Sequence, residues 1–161
     1  MKRFTTFKIE DQWFGLDVLL VREINQHLEI TPVQTAAEYI RGLINLRGQI
    51  VTIMDLGKRL GLGDHQTGDD SHVIVLKTNE ELAHLRAGAE ADALKTTSDP
   101  VGLLVGAIGN VIECDEADIE AAPANVGGVS ARFLSGVIKL ESDLVVLLHI
   151  AIIVNQEPGQ K

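Results

Sequence analysis

The alternation of apolar and polar side chains is most regular in residues 40–56 and again in residues 134–150. Each stretch contains two aliphatic runs separated by a short polar segment, Asn-Leu-Arg-Gly at residues 45–48 and Lys-Leu-Glu-Ser at residues 139–142. Two apolar runs around a short turn predict a β-hairpin. In the first stretch, Gly48 supplies the freedom to adopt positive φ that tight hairpin turns require.

The two hairpins follow one pattern. Their apolar positions occur in the same order, and Gly42 aligns with Gly136 at an offset of 136 − 42 = 94. A second match lies upstream, where residues 14–24 align with residues 101–111 and Gly15 with Gly102, an offset of 102 − 15 = 87. Two matches in the same order indicate that one small β unit occurs twice in the chain.

The remaining pattern predicts further short strands with Gly and Pro between them. Such spacing is typical of small barrels or a sandwich, and the internal repeat favours two barrels. We place the first barrel at residues 12–70 and the second at 71–155, within a single domain of residues 1–161, and allow residues 1–11 to pair with the second barrel. Residues 82–87 are predicted to return as a strand, and residues 88–99 to form a mobile loop.

Composition adds that the chain is acidic, but unevenly so. Of 161 residues, 45% are hydrophobic, which suffices for a substantial core, and the net charge is −9. Residues 1–60 carry eight Lys/Arg and seven Asp/Glu, whereas residues 61–161 carry six and sixteen. An acidic second half repels phosphate backbones and anionic lipid, so binding to nucleic acid or to a membrane surface is not expected.

Targeting signals and disulfides are not expected either. The basic start of the chain is not followed by a long apolar run, so we predict no signal peptide, and the apolar runs are too short to span a bilayer. A single cysteine, Cys114, excludes an internal disulfide. A cytoplasmic protein is the plain expectation.

The sequence contains no nucleophile elbow, phosphate-binding loop or calcium loop. The histidines also lack metal-ligand spacing; they are His27, His65, His72, His84 and His149. We therefore expect no catalytic residues, no metal and no cofactor, and we do not expect an enzyme.

Differences between the two copies are more informative. Arg47 aligns with Glu141, and Glu23 aligns with Asn110, so neither charge is needed merely to build the repeated unit. Both are therefore available for function. The alternative interpretation is that they are exposed charges, or one surface ion pair worth about 1 kcal/mol or less.

Three segments make the resemblance to a known family specific. Residues 14–24 (FGLDVLLVREI), residues 42–51 (GLINLRGQIV) and the Asp-Leu at 55–56 resemble the CheW family of chemotaxis coupling proteins, and the likeness extends from about residue 4 to residue 154. The resemblance implies an all-β fold of two packed, five-stranded SH3-like β-barrels with short helices. It also implies an adaptor that joins the cytoplasmic tip of a chemoreceptor to the histidine kinase CheA, whose regulatory domain shares this fold.

By the same resemblance, the receptor tip, an antiparallel helical hairpin, docks in a groove between the barrels. The implied receptor-binding positions are Val18, Val21, Glu23, Ile24, Arg41, Gly42, Asn45, Leu46 and Arg47. Among these, four aliphatic residues supply apolar area, and Arg47 offers a forked donor. Kinase contact is expected at barrel edges and exposed aliphatic residues. Thr52, Gly106 and His149 depart from the family's usual residues.

A second hypothesis is a sensory module that binds a small ligand within a β-barrel. It requires a closed apolar pocket with converging polar groups.

Overall fold

The computed structural model describes residues 1–26, 28–34, 37–62, 71–85 and 95–155. The strands are β1 (Lys2–Ile9), β2 (Gln12–Asp17), β3 (Val21–Gln26), β4 (Ile40–Leu46), β5 (Gln49–Asp55), β6 (His72–Leu76), β7 (Val101–Val105), β8 (Ile108–Cys114), β9 (Asn125–Val126), β10 (Val129–Ser130), β11 (Leu134–Lys139) and β12 (Leu144–Leu148). The α-helices are α1 (Leu56–Arg59), α2 (Asn79–Leu85) and α3 (Ile150–Val154).

Ten strands form two five-stranded sheets. Sheet 1 has the order β3-β6-β7-β5-β4, and sheet 2 has the order β8-β1-β2-β12-β11. Among the strands of the described residues, β9 and β10 form a separate pair. The predicted all-β architecture of two five-stranded units with short helices is confirmed.

The repeat is visible in the strand order. The first copy, β1 to β5, corresponds in order to β6, β7, β8, β11 and β12, so each sheet has the arrangement of the other. However, β1 and β2 lie in sheet 2, whereas β6 and β7 lie in sheet 1. Each copy thus contributes two strands to one sheet and three to the other.

The two sheets do not follow the predicted barrel boundaries, residues 12–70 and 71–155, which stay a prediction for the barrels. The parallel pairing of β2 with β12 places β2 in sheet 2, and the parallel pairing of β7 with β5 places β7 in sheet 1. The chain passes from sheet 2 to sheet 1 through the single 3-10 turn Val18–Leu20, which follows β2. It passes from sheet 1 to sheet 2 through residues 106–107, which follow β7. Residues 1–11 contain β1, which pairs with β8 and β2.

Gly42 and Gly136 serve the same structural need in the two hairpins. Each follows a register shift in its strand and has a positive φ, +151° and +158°. A Cβ at Gly42 would lie 2.1 Å from the carbonyl oxygen of Thr31, and one at Gly136 would lie 3.0 Å from that of Glu120. In each copy, a crossing segment is bonded closely to the hairpin, which strongly favours glycine at this position.

Within the described part of the chain, the buried side chains form three clusters. Two lie within single sheets, one in sheet 1 around Val51 and Ile53 and one in sheet 2 around Val145 and Leu147. The third and largest lies between the sheets; it includes Phe7, Phe14, Leu16, Met54, Leu56, Ile74, Leu103, Val146, Leu148 and Ile153. Central strands therefore bury both faces, which is why their sequences read as continuous apolar runs.

A buried arginine ties the two copies together. Arg59 on α1 is 7% exposed, and its Nε donates a 2.8 Å hydrogen bond to the carbonyl oxygen of Ile153 on α3. Its guanidinium carbon lies 4.9 Å from the ring centres of both Tyr39 and Phe133. Arg59 thus satisfies carbonyl groups at the end of α3 while two aromatic rings cover its charge.

The predicted strand at residues 82–87 is wrong, because helix α2 covers Asn79–Leu85. Thr78 and Glu81 form a capping box: the Glu81 carboxylate accepts from the Thr78 N–H at 2.9 Å, and the Thr78 hydroxyl accepts from the Glu81 N–H at 3.2 Å. This Thr-x-x-Glu signal was present in the sequence. Most of the predicted loop at 88–99 lies outside the described residues.

Candidate functional site

The β4–β5 hairpin ends in a tight two-residue turn that projects an arginine. Leu46 pairs with Gln49, and between them Arg47 and Gly48 have φ of +54° and +87°. Positive φ at both central residues is the signature of a type I′ turn. The Asn45 side chain accepts a 2.9 Å hydrogen bond from the Gly48 N–H, which fixes the turn. Arg47 is therefore held on a rigid tip with 68% of its side chain exposed.

Arg47 forms an ion pair with Glu23, in which its Nη2 donates to Glu23 Oε2. Glu23 also accepts a 3.0 Å hydrogen bond from the Asn25 amide. The hydrogen bond from Arg47, followed by that from Asn25, lowers the pKa of Glu23. Because Glu23 lies on β3 and Arg47 adjoins β4, the pair connects the two edge strands of sheet 1.

A second ion pair lies at the base of the same hairpin. Arg41 Nη1 is 3.3 Å from Asp55 Oδ2, and the Asp55 side chain is only 1% exposed. Asp55 also accepts from the Lys58 N–H at 3.2 Å and so caps α1. Arg41 therefore has an internal role, the neutralisation of a buried carboxylate.

The structure divides the nine sequence-predicted positions between core and surface. Val18 lies in the 3-10 turn; Val21, Glu23 and Ile24 lie on β3; Arg41, Gly42, Asn45 and Leu46 lie on β4; and Arg47 lies in the turn. Leu46 is 8% exposed and packs in the core of sheet 1, so it lends little apolar area to the surface. Ile24, in contrast, is 37% exposed.

Sequence reasoning missed Ile50, the most exposed aliphatic side chain of this hairpin at 54%. It lies opposite Asn45 in the register of β4 and β5. The alternation along β5 contained the signal, because Val51 and Ile53 share one face of the strand and Ile50 lies on the other. We define the tip surface as Glu23, Asn25, Asn45, Arg47 and Ile50.

Other kinds of site receive little support from the described ranges. Within them, no group of three or more His, Cys, Asp or Glu residues could hold a metal ion. Cys114 is buried, and this burial raises the pKa of its thiol, which disfavours the nucleophilic thiolate. None of the helices in those ranges has the length and apolar character needed to cross a membrane.

The chain is similar to known proteins over nearly its whole length. Residues 3–157 match the family model described as a CheW-like domain. Among curated relatives, a chemotaxis protein CheW of Rhizobium meliloti is 28% identical over 149 residues, which is 92% of this chain and 84% of that protein. Another, from Treponema pallidum, is 23% identical over 159 residues, which is 99% of this chain and 85% of that protein.

A solved structure shares the fold over the same extent. The crystal structure of the scaffolding protein TtCheW from Thermoanaerobacter tengcongensis superposes with a TM-score of 0.79 and 26% sequence identity. The match covers 99% of this chain and 91% of that one.

Proposed function

The chain belongs to the CheW-like domain family, and we propose that it is a non-catalytic adaptor linking chemoreceptor cytoplasmic tips to the histidine kinase CheA. Curated relatives are named chemotaxis proteins, and a solved neighbour is named a scaffolding protein, which supports a scaffold or adaptor role in chemotaxis-type signalling. We place this activity in the cytoplasm, where both partners present the relevant domains.

The position of Arg47 carries the proposal. At positive φ in a type I′ turn, Gly, Asn and Asp are the favoured residues, and a larger side chain costs of order 1 kcal/mol. In return Arg47 gains an ion pair that is largely exposed on the arginine side and contributes about 1 kcal/mol or less. Folding alone therefore gives little reason for arginine here, whereas a partner that binds guanidinium does.

The tip surface suits a helical receptor tip. Arg47 uses one nitrogen for Glu23, which leaves further N–H groups of the planar fork for carboxylates or carbonyl groups on a helix. Ile50 adds exposed apolar area on the same hairpin. We assign Asn45, Arg47 and Ile50 to direct contact, with Glu23 orienting the arginine and the exposed Ile24 of β3 as a further contact beside the tip surface.

The other predicted positions serve this surface indirectly. Arg41 stabilises the hairpin base through Asp55, Gly42 allows the crossing segment to approach, and Leu46 anchors the turn in the core. Val18 and Val21 are half-buried and flank the exposed side chain of Leu19, which adds apolar surface next to β3.

For the kinase, we propose the edges of sheet 2. Its edge strand β8 exposes 56% of Val111, and the turn after the other edge strand, β11, exposes 43% of Leu140. A like-folded regulatory domain of CheA could stack on these aliphatic residues. Weak individual contacts would suffice, because many simultaneous attachments in an array raise the overall affinity.

Co-sedimentation with chemoreceptor cytoplasmic fragments tests the receptor contact. We expect Arg47→Glu to weaken binding about tenfold or more, as loss of a central interface arginine does, with an almost unchanged melting temperature. The matched control is Lys139→Glu, because Lys139 is an exposed cation at the end of the equivalent strand β11 and pairs with Glu120 at 3.4 Å. This control should bind like the wild type.

A charge swap separates direct contact from a structural effect of the ion pair. Glu23→Arg combined with Arg47→Glu restores the pair in reverse. If Arg47 contacts the receptor directly, the swapped variant stays defective. Recovery of binding by the swap, or a collapse of folding in Arg47→Glu alone, would contradict the proposed direct contact.

A further inference from the structure

The backbones of the two copies match around the hairpin bases. The Asp55 N–H donates to the Tyr39 carbonyl at 2.6 Å, and the His149 N–H donates to the Phe133 carbonyl at 2.8 Å. Both pairs are related by the same offset, since 149 − 55 = 94 and 133 − 39 = 94. His149 therefore occupies the backbone place of Asp55.

The neighbouring position matches as well. The strand after Gly42 is bridged to a crossing segment through Leu43 and Thr31, and the strand after Gly136 is bridged in the same way through Val137 and Glu120. Arg41 and Ser135, which precede these glycines, are thus equivalent (135 − 41 = 94).

The side chains at these two positions differ in size and charge. In the first copy, Arg41 reaches the buried Asp55. In the second copy, Ser135 and His149 are both exposed, and they line a cleft of about 390 Å³ in sheet 2 next to α3. The long arginine and its buried carboxylate are replaced by a short hydroxyl and an imidazole, so nothing equivalent to the ion pair fills this space.

The cleft has an apolar floor. Its lining includes four buried core residues, Phe4, Leu16, Leu20 and Leu147, of which Phe4 and Leu20 are the more accessible at 6% each. A concave apolar site of several hundred cubic ångströms is the usual form of a small-molecule site.

The polar rim leaves two nitrogen-bearing groups uncommitted. Its acids have partners, since Glu116 pairs with Lys2 at 3.5 Å and Asp17 accepts from the Leu19 N–H at 2.9 Å. Lys95 and His149 also line the cleft, and neither side chain forms a hydrogen bond or ion pair within the described part of the chain.

Lys95 is held at this rim by its neighbour. Thr96 is 2% exposed, and its N–H donates to the Asn79 side chain at 2.8 Å. The ammonium group is therefore carried by an anchored segment of backbone, which limits the entropy lost when a ligand binds.

We propose that this cleft is a binding site for a small organic carboxylate with an apolar body, in which Lys95 and His149 hold the carboxylate and the aliphatic and aromatic floor covers the remainder. The site is separate from the tip surface and does not depend on the adaptor function. It provides an observation in favour of ligand sensing, although the cleft is open rather than closed.

Titration calorimetry of the full chain with benzoate and octanoate tests the proposal, with benzamide and octanol as neutral counterparts. We expect saturable binding of at least one carboxylate. Its neutral counterpart should bind about tenfold more weakly, because it lacks the negative charge that strengthens hydrogen bonds from Lys95 and His149. Lys95→Gln, an exposed substitution, should weaken carboxylate binding by a similar factor.

The decisive variant carries Ser135→Arg and His149→Asp, which places the ion pair of the first copy in the cleft of the second. Binding should be lost, and circular dichroism checks that the variant is folded. The proposal is overturned if neither carboxylate binds saturably, if the neutral analogues bind equally well, or if either Lys95→Gln or the folded double variant binds like the wild type.

Discussion

The first and second hairpins share a backbone but differ in their charges. Both contain a glycine at positive φ beneath a crossing segment, and both lead into a short helix, α1 or α3. The first hairpin adds two ion pairs, Arg41–Asp55 at its base and Arg47–Glu23 at its tip, whose counterparts in the second are Ser135–His149 and Glu141–Asn110. The apolar residues and glycines are common to both copies and build the repeated unit, whereas the two ion pairs occur only in the first hairpin.

The difference separates the proposed surfaces of the molecule. In sheet 1, the tip pair joins the edge strands and presents an arginine. In sheet 2, the second hairpin pairs Lys139 with Glu120 on the crossing segment, and the base of that hairpin opens into a cleft. Substitutions at equivalent positions therefore test which features belong to the fold and which to one copy.

The largest effects are expected at the two glycines. In Gly42→Ala, the Cβ would lie 2.1 Å from a backbone oxygen, and we expect a loss of about 3 kcal/mol in the free energy of unfolding. In Gly136→Ala, the nearest atom is a methyl of Ile119 at 2.6 Å, which can shift, so about 2 kcal/mol is expected. Urea denaturation measures both. A neutral result in either hairpin would contradict a shared steric need.

Next in size is the base of the first hairpin. Asp55→Asn removes the charge that neutralises Arg41 and weakens the cap of α1, so we expect a loss of about 2–3 kcal/mol. The matched control, His149→Asn, changes an exposed residue without a side-chain cap bond and should alter stability by less than about 0.5 kcal/mol. If Asp55→Asn and His149→Asn lost equal free energy of unfolding in the same denaturation assay, the ion pair would not account for a difference between the two hairpins.

A smaller effect depends on pH. Because Arg47 lowers the pKa of Glu23 in the folded state, the ion pair contributes stability above the unfolded pKa of about 4.3, and this contribution is lost as pH falls through the folded pKa. The stability difference between wild type and Glu23→Gln should therefore be at most about 1 kcal/mol near neutrality and shrink below about pH 4. The same comparison in an Arg47→Gln background is the control and should show a smaller pH-dependent difference, because the hydrogen bond from Asn25 still lowers the pKa of Glu23 there. A difference that grows towards acid pH would refute the assigned sign.

The smallest stability effect is expected for Arg47→Asn. Asparagine tolerates the positive φ of this turn position better than arginine does, and this gain should offset the lost ion pair to within about 0.5 kcal/mol. Thermal unfolding should thus be nearly unchanged while receptor co-sedimentation falls. A destabilisation well beyond this range would mean that Arg47 is retained for folding.

The locally determined features were predictable from particular residues. Gly42 and Gly136 marked the repeat, residues 45–48 marked the first turn, and both expectations agree with the register of β4 with β5 and of β11 with β12. Helix α2 was not predicted, although its Thr78–Glu81 capping box could be recognised in the sequence. The apolar residues that follow this capping box were interpreted as a strand.

The site was only partly predictable. Glu23 and Arg47 stood out because the second copy lacks both, but their mutual contact spans 24 positions in the chain and follows only from the approach of β3 to the hairpin. Leu46, which was expected to supply surface area, lies in the core, whereas Ile50, for which no role was predicted, is exposed. The register of the turn decides which side of each strand faces the core.

By itself the sequence determined most of the strands, the hairpin turns, the duplication and the charges peculiar to the first copy, because each depends on residues close together in the chain. Only the tertiary structure decided that β2 pairs with β12 and β7 with β5, and that a cleft opens where Ser135 replaces an arginine. The sequence of a strand that is buried on both faces has no hydrophobic periodicity from which its partner strands could be identified. Their partners are chosen by long-range packing, which local pattern does not encode.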